Sequence, residues 1–199
     1  QILALGPDHI SNYSLTVEPG TPLYELVNSG KVIMPDEETD IKMFQMARDL
    51  LGSNGYHQYE VSNFSKKSKQ CLHNLHYWNL DPYLAFGPSA HGYDGNKRWW
   101  NFRSLNKYMK MISENRMPTE GTEILTDKDR FNEIILNGLK TSAGINLKNL
   151  LKIKDDISIR QNIEKKIKKW PSLTLSQNHL KLRANDFMLL DEVTADLFI

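Results

Sequence analysis

The hydrophobic and polar positions of this chain switch between a period of two and a period near 3.6. In HISNYSLTV (residues 9–17), Tyr13, Leu15 and Val17 share a largely apolar face with Ser11, while Ile10, Asn12, Ser14 and Thr16 occupy the other, until Pro19 and Gly20 interrupt the pattern. This alternation predicts a strand followed by a turn. The preceding QILALGPD also reads as entry into a buried strand, without a polar lead-in. DEETDIKMFQMARDLLGSNG (36–55) then takes the helical period: Asp36 is placed to cap, acidic residues fill the first turn, and Ile41, Phe44, Ala47 and Leu51 share a face that ends at Gly52 and Gly55. A helix is predicted there. YHQYEVSNF (56–64) is strand-like, DPYLAFGPSAHGYDG (81–95) reads as a short apolar strand entering a Gly-Pro-Ser turn, and RWWNF (98–102) as another strand. SLNKYMKMISENR (104–116) predicts a helix capped by Ser104, with Leu105, Tyr108, Met109 and Ile112 on one face. Strands separated by helices predict parallel βα units, as in the later part of a barrel or an open α/β sheet.

From Thr126 the pattern changes. TDKD is a capping box, after which Phe131, Ile134, Ile135 and Leu139 line one face up to Gly144. Two further helices are predicted, NLKNLLKI and SIRQNIEKKIKKW, the second with Ile159, Ile163 and Ile167 at four-residue steps and ending at Pro171. SLTLS and HLKLR flank a tight Gln177-Asn178 turn, and NDFMLLDEVTADLFI predicts a closing helix capped by Asn185. Helix, helix, helix, hairpin, helix is a winged-helix-like order. The expected architecture is α/β, with a first domain over residues 1–120 and a small winged-helix-like α+β domain over residues 121–199.

Composition changes this picture little, since 40% apolar and 25% charged residues describe an ordinary globular protein. No apolar run approaches a bilayer span and no signal segment opens the chain, so the expected setting is the cytoplasm, with no transmembrane segment. The net charge is +1, and residues 126–199 carry 13 basic and 10 acidic side chains. That excess is too small for a strong phosphate-binding footprint. The lysines of KKIKKW (165–170) fall mostly opposite Ile163 and Ile167 and near a helix C-terminus, where cations are favoured anyway. No nucleic-acid partner is expected, and a winged-helix DNA binder is the lesser alternative.

The densest chemistry lies at 71–78, CLHNLHYW, which gathers the only cysteine, two of six histidines, a tyrosine and a tryptophan. A tetrahedral zinc site wants two ligand pairs, and no second pair accompanies Cys71, His73 and His76. One cysteine also falls short of an iron–sulfur cluster. Two readings remain open: a surface loop whose rings pack on the domain, or a haem contact, since haem iron takes a single axial imidazole and aromatic rings pack on the macrocycle. Glu60 is either an acid or base at a barrel mouth or, more ordinarily, a buried carboxylate bonded to neighbouring amides. His91 has the same ambiguity.

HISNYSLTVEPGTPL, YHQYEVSNFSKKSKQCLHNLHYW and YLAFGPSAHGY, in that order, resemble the later part of the radical S-adenosylmethionine family that contains oxygen-independent coproporphyrinogen III oxidase and the HemW-like haem chaperones. The resemblance spans residues 1–145, and the tail is similar to the family's C-terminal domain. It implies the C-terminal part of a radical SAM partial (β/α) barrel. HNLHYW resembles the HNxxYW signature associated with haem binding in the chaperone branch, which implies His73, Asn74, Tyr77 and Trp78 as haem-binding residues and His73 as the axial ligand. Strand NYSLT and turn FGPSAHG imply S-adenosylmethionine contacts near Thr16 and Ala90, where short residues and Gly87 permit close approach.

The chain departs from the family at its catalytic centre. The CxxxCxxC motif that holds the [4Fe–4S] cluster is missing from these residues, which is expected of a fragment whose first barrel strands lie upstream of Gln1. No catalytic residue, no tightly held cofactor and no turnover are expected of the fragment. The full-length protein is expected to bind S-adenosylmethionine, a cluster and haem, and to pass haem to acceptor proteins. The alternative is oxidative decarboxylation of coproporphyrinogen III. The sheet edge left by truncation is either bare or paired with another copy.

Overall fold

The computed structural model describes residues 1–153 and 157–199, which separate into two compact units. Unit 1 comprises Gln1–Cys71 with Ala184–Met188, and unit 2 comprises Leu72–Arg183 with Leu189–Ile199.

Unit 1 opens with a 3-10 turn, Ile2–Leu5, where a buried strand is expected. Gly6 at φ 60° closes that turn through its amide on Leu3 O, and Ile2 and Leu5 stay exposed. Strand β1 (His9–Ser11) is shorter than the alternation suggests, and Tyr13 and Leu15 are exposed beyond it. Helix α1 (Pro22–Asn28), which the periodicity reading missed, begins on Thr21, whose Oγ1 accepts from the Tyr24 amide, with Pro22 in the first turn. Helix α2 (Glu37–Ser53) starts as expected on Asp36, which accepts from the Thr39 amide at 2.9 Å.

Strands β2 (His57–Glu60) and β3 (Asn63–Ser65) complete a sheet in the order β1-β3-β2. Both of its pairings are antiparallel, which corrects the expected parallel units. The cause is local: two residues, Val61 and Ser62, join β2 to β3, and so short a link can only reverse the chain. β1 and β2 therefore run in the same direction, but with β3 between them. Leu51, Tyr56 and Phe64 form the buried core, with Leu3 and Ile10 against it. Glu60 is buried and accepts from the Ser62 amide at 3.1 Å, the ordinary outcome for this carboxylate.

Unit 2 contains helix α3 (Leu72–Trp78), strands β4 (His91–Tyr93) and β5 (Lys97–Asn101), helix α4 (Leu105–Ser113) and strand β6 (Thr119–Ile124). The strands pair antiparallel as β4-β5-β6. Adjacent tryptophans on β5 each face a glycine across the ladder, Trp99 opposite Gly92 and Trp100 opposite Gly121. Each indole lies where a Cβ on that glycine would stand. Gly92→Ala is therefore expected to displace Trp99 and cost about 1–3 kcal/mol, read as a lower midpoint in urea; an unchanged midpoint would show that the ring moves aside freely. Ser104 caps α4 as expected. Its apolar stripe, however, is not core: Leu105, Met109 and Ile112 are exposed.

The rest of unit 2 follows the predicted order: α5 (Asp127–Leu139), β7 (Ile145–Asn146), α6 (Leu147–Ile153), α7 (Ile157–Lys169), β8 (Leu173–Ser176), β9 (His179–Leu182) and α8 (Leu190–Leu197). The Thr126–Asp129 capping box is complete in both directions, and the Thr126 hydroxyl and then its amide, both donating to the Asp129 carboxylate, lower the Asp129 pKa. Gln177 and Asn178 both take positive φ, 49° and 63°, the twist that a two-residue hairpin requires. β7 extends the hairpin into an antiparallel sheet of order β7-β9-β8. Asn185 does not cap the closing helix. A 3-10 segment, Ala184–Leu189, absorbs it, and α8 begins after Leu189. Helix α5 packs against α6, α8, β7 and β9, and α7 against α8 and β8. No helix among the described residues is long and apolar enough to cross a membrane.

Candidate functional site

Residues 72–78 are a helix, not a loop. The end of α3 explains how so short a run holds this shape. Leu80 takes φ 57°, its amide bonds Tyr77 O at 3.1 Å, and the Asp81 amide reaches His76 O at 3.0 Å. This pair of reversed bonds is a Schellman closure, made here on leucine instead of the usual glycine. The same turn brings the Asp81 carboxylate to His76 Nδ1 at 2.8 Å. Both side chains are largely exposed, so the pair contributes orientation more than stability.

Helical spacing distributes the signature over two faces. His73 and Tyr77 lie four residues apart, as do Asn74 and Trp78, about 100° around the helix. His73 is exposed, and its ring meets Tyr77 edge-on, with centroids 4.9 Å apart at 87°. Its ring nitrogens make no hydrogen bond among the described residues. Tyr77 in turn meets Tyr83 at 4.6 Å, and Tyr83 lies 6.1 Å from Tyr93. Tyr83 and Tyr93 also exchange backbone hydrogen bonds at 2.9 Å each. The ladder thus runs from a solvent-facing imidazole to Tyr93, whose phenol is raised in pKa first by burial and then by the Glu133 charge.

Trp78 turns the other way. The Lys140 ammonium stands 5.1 Å over its ring, and the indole lines a cavity of about 430 Å³ bounded by α5, α6 and the β7–β9 sheet. The four signature residues are therefore on one short helix, but Trp78 does not share the His73–Tyr77 face. Sequence reasoning missed Tyr83, Tyr93, Lys140 and Asp81 as neighbours of the signature. Of these, only Asp81, ahead of Pro82 at the helix end, carried a local signal.

Thr16 lies in unit 1, exposed and outside any strand, and Ala90 lies in unit 2. The Ala90 carbonyl already accepts from the Asn101 amide at 2.9 Å. Cys71 is half-buried in unit 1, with its amide directed at Tyr59 Oη. His91 is exposed and packs obliquely on Trp100. Among the described residues no three metal-ligating side chains converge.

Comparison with known proteins places this helix in context. No family model matches the chain. The chain is 36% identical over 146 residues to the heme chaperone HemW of Bacillus subtilis, covering 73% of this chain and 38% of that protein. It is 34% identical over 145 residues to HemW of Mycobacterium tuberculosis, covering 73% and 37%. Over nearly three quarters of its length the chain is thus similar to the HemW heme chaperones. The zebrafish (Danio rerio) mitochondrial radical S-adenosyl methionine domain-containing protein 1 is 30% identical, over 96% of this chain and 43% of its own length. Among solved structures, coproporphyrinogen III oxidase (HemN) from Escherichia coli matches 99% of this chain and 49% of its own, with TM-score 0.71 at 14% identity. The chain thus shares the fold of about half of HemN, and it spans roughly two fifths of the length of the HemW proteins it matches.

Proposed function

We propose that this chain is the C-terminal portion of a HemW-like protein that binds haem on α3 and passes it to acceptor proteins. In this reading residues 1–120 are the later barrel and 121–199 the closing domain. The observation that carries it is His73, an exposed imidazole whose ring nitrogens have no hydrogen-bond partner among the described residues, backed by the Tyr77–Tyr83 ladder. An axial ligand needs such a free nitrogen, and a macrocycle gains from flat rings at its edge. Leu72, Leu84 and Phe86, near these rings in sequence, are also exposed and suit an apolar guest. Identity favours the chaperone over the oxidase: the HemW proteins reach 36%, against 14% for the oxidase whose fold is shared.

S-adenosylmethionine and a [4Fe–4S] cluster belong to the whole protein in this reading, with Thr16 and Ala90 near the former. The cluster thiolates come from a CxxxCxxC motif, which residues 1–199 do not contain. Haemin titration of the full-length protein, followed at the Soret band, tests the assignment. His73→Ala is expected to weaken binding by more than the about 10-fold to 100-fold that loss of an outer-shell partner costs at a metal site. His76→Ala, which removes only the Asp81-bonded neighbour, is expected to keep the wild-type spectrum. An unchanged affinity and spectrum in His73→Ala would remove His73 as the ligand.

A further inference from the structure

A metal-bound histidine is usually oriented by a hydrogen bond from its second ring nitrogen to a carboxylate or carbonyl. His73 makes no such bond among the described residues, and the carboxylate at the end of its helix, Asp81, is taken by His76 at 2.8 Å. What touches the His73 imidazole is a ring: Tyr77, one turn further along α3, at 4.9 Å and 87°. An aromatic pair of this geometry favours its own arrangement about 2-fold to 10-fold. It orients the imidazole only while the second ring is itself held.

Tyr77 does not hold itself. It is 38% exposed, and its hydroxyl makes no hydrogen bond among the described residues. Its support is Tyr83, whose ring meets it at 4.6 Å and 62°. Tyr83 is fixed from behind through its backbone, whose amide and carbonyl exchange bonds of 2.9 Å with Tyr93. Tyr93 is 5% exposed, its hydroxyl donates to Gly95 O at 2.9 Å, and the Arg98 guanidinium lies over its ring at 6.0 Å. Arg98 is in turn paired with Glu133 on α5 at 2.7 Å. All of these residues belong to unit 2, whose anchored part thus reaches the solvent-facing imidazole by way of Tyr83 and Tyr77.

Resting on the haem reading above, we propose that Tyr83 is a positioning residue: through Tyr77 it holds the His73 imidazole in the orientation that receives the iron. Haemin titration of the full-length protein is expected to show Tyr83→Leu binding about 3-fold to 10-fold more weakly, the cost of ordering a loosened side chain on binding. Tyr83→Phe, which keeps the ring, is expected to retain wild-type affinity. On a Tyr77→Leu background, Tyr83→Leu is expected to change affinity by less than about 2-fold, because the relay is already cut. Tyr77→Leu, at the more exposed position, gives the same loss by itself and serves where Tyr83→Leu does not fold. The haem-free protein supplies a second readout: the imidazole proton signals of His73, assigned with His73→Ala, are shifted by the Tyr77 ring. Tyr83→Leu is expected to move them toward those of an exposed, unstacked histidine, and Tyr83→Phe to leave them in place. If His73→Ala weakens haem binding while folded Tyr83→Leu leaves either the affinity or these signals unmoved, the positioning role is overturned and the haem reading stands. If His73→Ala changes nothing, the haem reading falls and takes the positioning role with it. A Tyr83→Leu loss that persists in full on the Tyr77→Leu background would also overturn the proposal, since the ring would then act without Tyr77.

Discussion

Phe131→Ala is expected to destabilise unit 2 by about 3–5 kcal/mol, the cost of deleting a fully buried phenyl group. Phe131, Ile135 and Leu139 stand at four-residue steps on α5, and all three are buried. Their helix packs against α6, α8, β7 and β9, so a cavity at Phe131 withdraws contacts from a helix that several elements share. Because total domain stability is typically about 5–15 kcal/mol, the loss is a large fraction of the whole. The measurement is direct, since Trp78, Trp99, Trp100 and Trp170 all lie in unit 2 and tryptophan emission reports on that unit. Urea unfolding followed by emission should show a much lower midpoint at unchanged slope. A loss under about 1 kcal/mol would mean that neighbours collapse into the space, and that α5 is not the hub its packing suggests.

The parts of this fold that were legible in the sequence are those fixed by a few adjacent residues. Asp36 and Thr126 each satisfy an amide three residues ahead, and both caps form as their spacing predicts. The Gln177-Asn178 turn admits one common geometry, and the flanking alternation sets the register. Thr21-Pro22 carried an equally local signal for α1, but the preceding Pro19 and Gly20 drew attention to the turn instead. Pairing direction was not legible, because an alternating run looks the same in either direction. What fixes it is the two-residue link between β2 and β3, hidden inside a stretch that reads as one strand. The stripe on α4 shows the converse: Leu105, Met109 and Ile112 have the period of a buried face, yet within these residues they face solvent.

The site divides the same way. Its residue types were plain in CLHNLHYW, and its family resemblance pointed to His73. Its shape was not, because a helix of only seven residues, closed by leucine instead of glycine at positive φ, lacks the usual stop sign. The long-range neighbours, Tyr83 and Tyr93 along the ladder and Lys140 over Trp78, depend on tertiary packing that no local pattern encodes.

Asp196 is expected to hold the end of α7 to α8 through its charge, and acid should release it. The carboxylate accepts from Lys166 Nζ at 2.6 Å, Trp170 Nε1 at 2.8 Å and Lys169 Nζ at 3.0 Å. These bonds, the one from Lys166 foremost, hold its pKa well below the usual carboxylate range. Two lysines of the KKIKKW string are thus engaged within the protein. Asp196→Asn keeps the volume but removes the charge, leaving the largely buried Lys166 ammonium without its counter-ion; the expected cost at pH 7 is about 1.5–3 kcal/mol. A depressed folded pKa means that the unfolded state binds the proton first, so the stabilisation is complete above the unfolded value near 3.8 and fades as pH falls below it. The gap between wild type and Asp196→Asn should therefore stay constant from pH 7 to about 5, then narrow by up to about 1.4 kcal/mol for each pH unit below about 4. Urea midpoints at pH 7, 5 and 3 would show this. A gap that is the same at pH 3 as at pH 7 would mean that shape and not charge joins these two helices.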